Sequence, residues 1–438
     1  MSSEVENRIA KRTSFSSSWG TICSTAGVAI GLGNIWRFPY MMGKHGGALF
    51  LFAYVVIAVV FGLPALMAEW ALARQTRSGP AAAFAGAGFP GGRAVSALLI
   101  LSVLMASSYY GLLVGWVLYF TVGFGLRTVG SAWNGSFQAL SQSVASQAVA
   151  LVCVSVASAS ILYFGVRGGI ERVSRWGLPV FFVLIVILVV RVLTLDGAID
   201  ALCRYLVPRA ENFRSTTPLA ALGQVFFSFG LGGTFMVAYG SYMRDDESIP
   251  RLAVLTAGAD VAAALLAGAI VIPAAIVFSL PTEAGPPLMF NVMPTIFERM
   301  AGGAVFGLMF FGSVFLVAML SQMAAFEVVV DGLASGLHWP RKRSVVAVAI
   351  ASSLLAVPAI FIQGYVETSD FLWGTTMQPV GALLAVLAFA WCLHRGDALA
   401  QLRANTHLPI PEWLFYWIRF GLPIGIAAAL LFEWISHL

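Results

Sequence analysis

Apolar runs separated by short polar segments cover almost the whole chain. A transmembrane helix needs about 20 mostly apolar residues, and eleven runs reach that length. They span residues 19–40, 48–73, 94–124, 143–164, 173–195, 218–243, 252–280, 303–333, 345–362, 371–393 and 413–436. Because a helix satisfies its own backbone hydrogen bonds in lipid, the pattern predicts an all-α polytopic membrane protein with eleven transmembrane helices.

Composition supports this prediction. Of the 438 residues, 59% are hydrophobic and 10% are charged, whereas a soluble domain has roughly 25% charged residues. The net charge of +5 arises from basic residues in short loops, so we expect the lipid bilayer, and no nucleic acid, as a partner. The sequence contains no phosphate-binding loop that would indicate ATP as the energy source.

Lysine and arginine residues are distributed unevenly between the two sides of the predicted bundle. If residues 1–18 are cytoplasmic, sixteen basic residues lie in inner segments and seven in outer segments. Cytoplasmic loops are the ones enriched in basic residues. The distribution predicts a multi-pass protein of the cell (inner) membrane with a cytoplasmic N-terminus. Because the number of spans is odd, the C-terminus is expected outside.

The first apolar run contains residues that disfavour a continuous helix. The motif AGVAIGLGNIWRFP at residues 26–39 has three glycines, followed by Asn34 and Arg37. Glycine is a weak helix former, and Asn and Arg are costly at bilayer depth. Unwound backbone is tolerated there only where it lines a cavity, and its free carbonyl and amide groups can bind ions. The motif therefore predicts a broken helix with a binding site for a salt-like solute.

A second apolar run has a matching interruption. Residues 223–244 read GQVFFSFGLGGTFMVAYGSYMR, with three glycines near the centre. Two interrupted helices in corresponding positions of two halves point to an inverted-repeat transporter with its site between them. The predicted organisation is a first five-helix repeat at 19–195, a second at 218–393 and one additional transmembrane helix at 413–436.

Five motifs are specific enough to indicate a family. They are GLGNIWRFPY at 31–40, LPALMAEWALAR at 63–74, the pair Tyr109–Tyr110 followed by Trp116, GQVFFSFG at 223–230, and Asp370 within SDFLW. In these motifs the chain resembles the neurotransmitter:sodium symporter family, in its bacterial amino-acid transporter branch. The resemblance implies the leucine-transporter-like fold of two inverted five-helix repeats. It also implies sodium-coupled secondary active uptake of an amino acid by alternating access.

The resemblance further implies a first sodium site beside the substrate. Its expected contributors are Ala29 through the backbone carbonyl, Asn34, Ser228 and Asp260. Hard cations take oxygen ligands, and all four positions supply one. Many relatives have Asn where this chain has Asp260, so the site gains a negative charge.

The chloride site of animal relatives is only partly present. Its counterparts are Tyr54, Gln224 and Ser228, but the remaining position is Ala264, which has no hydroxyl group. The carboxylate of Asp260 can supply the negative charge that chloride gives in those relatives. We therefore expect transport that does not depend on chloride.

A second sodium site departs from the family pattern. Its matching positions are Gly27, Ile30, Val317 and Ser321, whereas the second hydroxyl ligand is replaced by Leu320. A leucine offers no oxygen to the ion. The sequence therefore predicts one sodium ion at the first site and a weak or vacant second site.

The resemblance also implies a gate at each end of the substrate site. Arg37 and Asp370 match the outer pair, above an aromatic lid of Tyr110 and Phe227. The family has an acidic partner for the inner-gate arginine at the position of Ser335. The nearest acidic residue in this chain is Asp331, one helical turn earlier. The inner-gate residues are therefore predicted as Arg12, Tyr242 and Asp331.

The positions that surround the substrate in the family are small or apolar in this chain. Glycine at 31, where monoamine transporters have Asp, favours a zwitterion that carries its own carboxylate. Small residues elsewhere predict a roomy pocket for a large hydrophobic or aromatic amino acid. The predicted substrate-binding residues are Val28, Ala29, Leu32, Gly33, Ala106, Tyr110, Phe227, Ser228, Gly230, Gly233, Ser321 and Ala325.

Other interpretations stay open at this point. A proton-coupled or sodium-independent amino-acid transporter of the same fold is the main alternative, because of Leu320 and Asp260. A solute sensor that does not transport is another, although both gates argue against it. The spans show no nucleophile–base pair, so we do not expect an enzyme. Glu69 and Glu327 are expected to be buried structural carboxylates, and Tyr109 to be a packing residue.

Overall fold

A computed structural model describes residues 13–208, 213–281, 288–407 and 409–437. The predicted inner-gate residue Arg12 lies outside this range. The described chain is a helical bundle in which long helices alternate with short connecting ones. In chain order the helices are α1 (Ser18–Ala29), α2 (Phe38–Lys44), α3 (Ala48–Thr76), α4 (Pro80–Gly86), α5 (Gly92–Thr128), α6 (Phe137–Gln142), α7 (Val144–Tyr163), α8 (Val166–Leu193), α9 (Ala198–Leu206), α10 (Thr217–Ser228), α11 (Phe235–Gly240), α12 (Ile249–Val277), α13 (Met293–Arg299), α14 (Gly303–Gly336), α15 (Arg341–Phe361), α16 (Tyr365–Cys392), α17 (Arg395–Arg403) and α18 (Glu412–Ile435).

Nine helices in the described residues are long and apolar enough to cross a membrane: α3, α5, α7, α8, α12, α14, α15, α16 and α18. The other two predicted spans are the interrupted ones, and each consists of shorter helical pieces. Nine continuous and two broken spans account for the eleven predicted crossings. The protein is therefore an all-α polytopic membrane protein.

The first break follows the glycines of the opening motif. Helix α1 ends at Ala29, and Ile30 adopts an extended conformation with φ −75° and ψ 116°. The helix resumes as a π-helical turn at Gly33–Arg37 and continues directly into α2. The break takes residues 30–32 out of the regular helical hydrogen-bond pattern in the buried centre of the bundle.

The second break depends on glycine conformations that other residues rarely adopt. Helix α10 ends at Ser228, and Gly230 and Gly233 have φ values of +61° and +66° before α11 begins. Glycine reaches this region without steric cost. The Glu69 carboxylate, fully buried on α3, accepts hydrogen bonds from the amides of Gly232 at 2.9 Å and Gly233 at 3.0 Å. Glu69 therefore satisfies amide groups that the break leaves without helical partners.

Aromatic side chains pack the end of the bundle that is predicted to face outward. The ring of Phe120 stacks on Phe311 at 5.0 Å and on Phe290 at 6.0 Å. Phe290 belongs to the short segment before α13 and also contacts Trp116 at 5.6 Å and Trp36 at 6.2 Å. These contacts fix the segment against α5 and the first broken helix.

The opposite end is closed by residues that precede α1. Phe15 is fully buried, and its amide donates to the Tyr242 carbonyl at 2.9 Å. The amide and hydroxyl of Ser16 donate to the Glu171 carboxylate at 2.8 Å and 2.5 Å. A Cβ on Gly20 would overlap that carboxylate, so the close approach requires glycine. Hydrogen bonds thus hold the described N-terminal segment across the predicted cytoplasmic end.

Candidate functional site

The two helix breaks meet at a cavity of about 100 Å³ in the centre of the bundle. Residues from α1, α5, α10, α14 and α16 line it. Eleven of the twelve predicted substrate-binding residues lie in this lining: Val28, Ala29, Leu32, Gly33, Ala106, Tyr110, Phe227, Ser228, Gly230, Ser321 and Ala325.

Gly233 is the predicted pocket residue that does not line the cavity. A Cβ on Gly233 would lie 2.7 Å from the Gly381 carbonyl oxygen and 3.0 Å from Phe84 Cζ. The glycine therefore allows the second break to pack closely on α16 and contributes no space to the cavity. Gly233 is close to Gly230 in sequence, but the turn between them leaves Gly230 at the cavity and Gly233 against α16.

Several lining residues were missed by the sequence analysis. Ser107 and Tyr109 lie on α5, Phe235 begins α11, and Gly374 and Gln378 come from α16. Tyr109 was expected to be a packing residue, yet its hydroxyl donates to Asp370 at 2.9 Å. Its position beside Tyr110 was the available signal. Gln378 had none, because a single polar residue in an apolar span does not reveal which way it faces.

Small residues bring polar groups close together at one end of the cavity. A Cβ on Gly31 would lie 2.8 Å from Ser321 Oγ and 3.2 Å from the Tyr110 hydroxyl oxygen. A Cβ on Gly33 would lie 2.6 Å from the Phe227 ring. The buried Tyr110 hydroxyl lies beside the Leu32 backbone and the Ser321 side chain. This hydroxyl and the backbone at 32–33 therefore border the polar end of the cavity.

The Asp260 carboxylate is fully buried beside this end of the cavity. Asn34 Nδ2 donates to its Oδ1 at 2.7 Å, and Ser228 Oγ lies 2.9 Å and 2.8 Å from its two oxygens. Asn34 Oδ1 accepts from the Gly31 amide at 3.0 Å, which connects the cluster to the first break. The cluster places the oxygens of Ser228 and Asp260 together, with the Asn34 amide nitrogen turned toward them and its oxygen turned toward the Gly31 amide. Oxygen ligands of this kind suit a hard cation.

Residues matched to the chloride site also contact Asp260. The Tyr54 hydroxyl donates to Asp260 Oδ2 at 2.9 Å, and Ser228 donates from the other side. Gln224 is fully buried nearby, with Nε2 3.5 Å from the Gly33 carbonyl oxygen. Ala264 is buried and supplies no donor. The carboxylate thus occupies the acceptor position toward which these hydroxyl groups point.

At the positions matched to the second sodium site, an apolar side chain packs against the first broken helix. Ser321 Oγ lies 3.2 Å from the Ile30 carbonyl oxygen and 3.4 Å from that of Val317. Leu320 is buried, and its Cδ1 would lie 2.8 Å from a Cβ on Gly27. The leucine side chain therefore packs directly on the backbone that contributes to this site in the family.

The predicted outer-gate residues are near each other but do not form a direct ion pair. The Arg37 guanidinium lies over the Phe227 ring, 4.5 Å from its centroid. Asp370 instead accepts the Tyr109 hydroxyl. Phe227, Tyr109 and both charged residues therefore make up the outer boundary of the cavity.

The inner-gate prediction is only partly within the described residues. The Tyr242 hydroxyl donates to Glu327 Oε1 at 2.7 Å, and Arg341 forms an ion pair with the same buried carboxylate at 2.6 Å. Asp331 is largely buried and accepts from the Ser335 hydroxyl at 3.3 Å. Glu327 thus has the hydrogen-bonding partners expected of a buried carboxylate, and it links Tyr242 to α15.

A second polar network crosses the inner end. The Glu247 carboxylate, in the loop before α12, accepts from the Thr21 hydroxyl at 2.8 Å. Arg74 donates to the Glu247 carbonyl at 2.7 Å and to Gln401 Oε1 at 2.6 Å. Burial raises the pKa of the Glu247 carboxyl above its ordinary value. The network ties α1, α3 and α17 together, and the sequence offered no sign of it.

Comparison with known proteins identifies the family. Residues 12–134 and 126–436 match the model of the Sodium:neurotransmitter symporter family. The chain belongs to this family. All five symporter motifs lie within the matched residues, and the two broken helices contain two of them, GLGNIWRFPY and GQVFFSFG.

Relatives of this symporter share nearly its full length. It is 28% identical over 447 residues to YhdH of Bacillus subtilis, an uncharacterized sodium-dependent transporter, covering 96% of this chain and 97% of the relative. It is 26% identical over 449 residues to the sodium-dependent transporter MJ1319 of Methanocaldococcus jannaschii, with coverage of 97% and 90%.

A solved structure shows the same fold. The crystal structure of MhsT in complex with L-phenylalanine has a TM-score of 0.86 and 29% identity, and covers 96% of this chain and 100% of that chain. The symporter described here therefore has the leucine-transporter-like fold. It is a multi-pass, sodium-dependent transporter, and its relatives are transporters and not enzymes.

Proposed function

We propose that this symporter takes up an amino acid with a large apolar or aromatic side chain, coupled to sodium and independent of chloride. The observation that carries the proposal is the position of Asp260. Its carboxylate lies among Asn34, Ser228 and Tyr54, directly beside the cavity between the two helix breaks. A cation bound there would be next to the carboxylate of an amino-acid substrate.

The polar end of the cavity suits a zwitterion. The substrate carboxylate meets the amides near Leu32 and Gly33, the Tyr110 hydroxyl and the sodium ion. The substrate amine meets carbonyl groups of Ala29 and of the end of α10 at 227–228. Because residue 31 is glycine, no side chain from this position competes for the amine. Unpaired amides at a helix start favour an anion, and free carbonyls favour a cation.

The residues that would hold sodium at the first site are Ala29 through its carbonyl, Asn34 through Oδ1, Ser228 through Oγ and Asp260 through its carboxylate. The carboxylate contributes the negative charge that partly offsets that of the ion. The carboxylate is a fixed part of the chain. It already accepts hydrogen bonds from the hydroxyl groups of Tyr54 and Ser228, which match the family's chloride site. A separate chloride ion is therefore not required.

The side-chain end of the cavity is bordered by small residues and two aromatic rings. Ala106, Gly230 and Ala325 leave space, while Phe227 and Phe235 offer apolar surface. Gly233 faces α16 and adds nothing to this space. A phenylalanine complex of the 29% identical MhsT supports a substrate of this class.

Transport by alternating access follows from closure at both ends. Arg37 and Phe227 cover the outer side, and the segment around Phe15 covers the inner side. In this proposal the repeats at 19–195 and 218–393 move relative to one another, while 413–436 is peripheral. Residues 1–18 are cytoplasmic, and the C-terminus is external.

Uptake by purified protein in liposomes tests the substrate and the coupling ion. A competition series from glycine to tryptophan should give affinities that rise with side-chain size. Each unfilled methylene loses about 0.8 kcal/mol of burial, so glycine and alanine should bind at least about tenfold more weakly than phenylalanine. An affinity that peaks at glycine or alanine contradicts the large-substrate proposal.

The same liposomes separate the coupling ions. Replacing external sodium by choline should abolish accumulation, and replacing chloride by gluconate should leave it unchanged. Accumulation driven by an imposed pH gradient without sodium would instead favour the proton-coupled alternative suggested by Leu320. Substrate binding without counterflow would favour a sensor.

A further inference from the structure

An apolar groove lies between α7 and α15, on the surface that faces the lipid. It has a volume of about 620 Å³ and is separate from the central cavity. Its rims carry exposed aliphatic side chains, with Val156 58% exposed and Leu354 65% exposed. Its floor is formed by smaller residues, including Ala159 and Ala349. The difference in side-chain size between rim and floor creates the depth of the groove.

The hydroxyl groups on the floor of the groove are already hydrogen-bonded. An acyl chain that fills the groove would therefore not bury an unpaired polar group. Ser353 Oγ donates to Ser155 Oγ at 2.9 Å, so the two hydroxyl groups satisfy each other. Residues of α15 between Val345 and Leu354 line one wall, a length of about 14 Å along the helix axis. This is about half of a bilayer core of roughly 30 Å, the depth of one leaflet.

One end of the groove is strongly basic. Lys342 and Arg343 are both exposed, and Lys342 Nζ lies 4.5 Å from the centroid of the Tyr163 ring, which lines the groove. Arg343 lies over Trp339 at 4.5 Å. Neither residue forms an ion pair with a carboxylate in the described part of the chain, whereas the preceding Arg341 is paired with Glu327.

The spacing along α15 connects the charges to the groove. Residues three and four positions apart share a helix face. Lys342 therefore lies on the same face of α15 as the groove residues Val345 and Val346, and Arg343 on the same face as Val346. Two unneutralised cations therefore lie at the end of an apolar groove one leaflet deep. This combination complements a molecule with an anionic head and an apolar tail.

We propose that the groove between α7 and α15 is a binding site for one anionic phospholipid of the leaflet that contains the N-terminal segment. An acyl chain lies in the groove, and the head-group phosphate lies between Lys342 and Arg343. Arg167 follows the groove residue Phe164 by three positions and donates to the Ser14 carbonyl at 2.6 Å. In this proposal the head group therefore lies on the same side as the segment that closes the inner end.

Native mass spectrometry of the purified full-length protein tests the site. Phosphatidylglycerol and phosphatidylcholine with identical acyl chains are titrated onto delipidated protein. One phosphatidylglycerol should be retained at concentrations at which phosphatidylcholine is not. Each juxtamembrane basic residue contributes about fivefold to attraction of anionic lipid, so Lys342→Gln should weaken phosphatidylglycerol binding by about that factor. Arg251→Gln, an exposed basic residue at the start of α12, is the matched control and should have no effect.

A second pair of variants tests the apolar part. Ala349→Phe fills the floor of the groove and should remove the retained lipid without changing the charges. Val357→Phe adds the same ring to α15 outside the groove and should leave retention unchanged. Thermal melting in detergent confirms that each variant is folded.

Three outcomes would overturn the proposal. They are equal retention of the two lipids, an equal effect of Lys342→Gln and Arg251→Gln, and retention that survives Ala349→Phe. A dimer that Ala349→Phe dissociates, without a lipid adduct, would assign the groove to a second copy of the chain.

Discussion

The two positions matched to sodium sites differ sharply in their chemistry, although both lie along the first broken helix. The first contains a buried carboxylate with three side-chain donors around it, from Asn34, Tyr54 and Ser228. The second contains one hydroxyl, Ser321, next to the buried side chain of Leu320. The first position concentrates negative charge and oxygen atoms. The second has a leucine side chain where the family pattern has a hydroxyl ligand.

This difference indicates that the two positions have different roles, one suited to binding a cation and the other to packing two helices together. At the first position, backbone, central cavity and carboxylate converge, so a cation there would lie directly beside a molecule bound in the cavity. At the second, the leucine packs α14 against α1 at Gly27 through apolar contact. We infer that in this chain α14 holds the first broken helix partly by packing, where a cation would hold it in relatives with both ligands.

The largest effect is expected from Asp260→Ala. It removes the charge and an oxygen ligand, and it leaves the donors on Tyr54, Ser228 and Asn34 without their buried acceptor. Losing one partner of a buried charged pair costs about 3–5 kcal/mol, so sodium-dependent substrate binding should fall by more than about a hundredfold. Scintillation-proximity binding across a sodium titration measures this.

Asp260→Asn is the matched control, because it keeps an amide oxygen in nearly the same shape. It should retain weak sodium-dependent binding. Chloride should have no effect on the unmodified protein. Unchanged sodium dependence in Asp260→Ala would place the coupling cation elsewhere.

A smaller effect is expected from Tyr54→Phe. The hydroxyl of Tyr54 donates to Asp260 at 2.9 Å, and a hydrogen bond to a charged group contributes about 1.5–3 kcal/mol. Its loss destabilises the ionised carboxylate, so sodium affinity should fall by about tenfold. Tyr109→Phe removes an equivalent hydroxyl from Asp370 at the outer boundary and should change sodium affinity much less. Equal effects of the two variants would mean that Tyr54 does not act through Asp260.

The smallest effect is expected from Leu320→Thr, which restores a hydroxyl at the second position. One added neutral oxygen should strengthen sodium binding by about three- to tenfold, in line with a hydrogen-bond-sized interaction. The Hill coefficient for sodium should rise from near one toward two. Leu320→Val changes the packing without adding oxygen and should leave the coefficient near one. A coefficient near two in the unmodified protein would contradict the one-ion prediction.

Much of the site could be predicted because its signals are local in the chain. Glycines next to Asn34 indicate a broken helix, and Asp260 within an apolar run indicates a buried functional carboxylate. Gln378 could not be assigned in this way, and the position of Tyr109 beside Tyr110 did not show that its hydroxyl reaches Asp370. Their roles depend on which face of α5 and α16 turns toward the cavity, and these long apolar helices have little amphipathic pattern to show it.

Gly233 illustrates the same limit from the opposite direction. Its position in a glycine-rich break predicted a contribution to pocket volume, yet the space beside it is taken by the Gly381 carbonyl of α16. A missing side chain leaves room only where no other element approaches. The approach of a helix more than 140 residues later in the chain is a tertiary property.

The sequence by itself determined the number of spans, the two breaks, the family and the charge at position 260, because hydrophobicity, glycine content and motif identity act over short distances along the chain. Only the tertiary structure decided that Tyr54 and Ser228 share the Asp260 carboxylate, that Leu320 packs on Gly27, and that Glu247 links α1 to α3 and α17. These contacts join residues far apart in the chain. They form only when the helices pack, and packing depends on the complete set of helix faces at once.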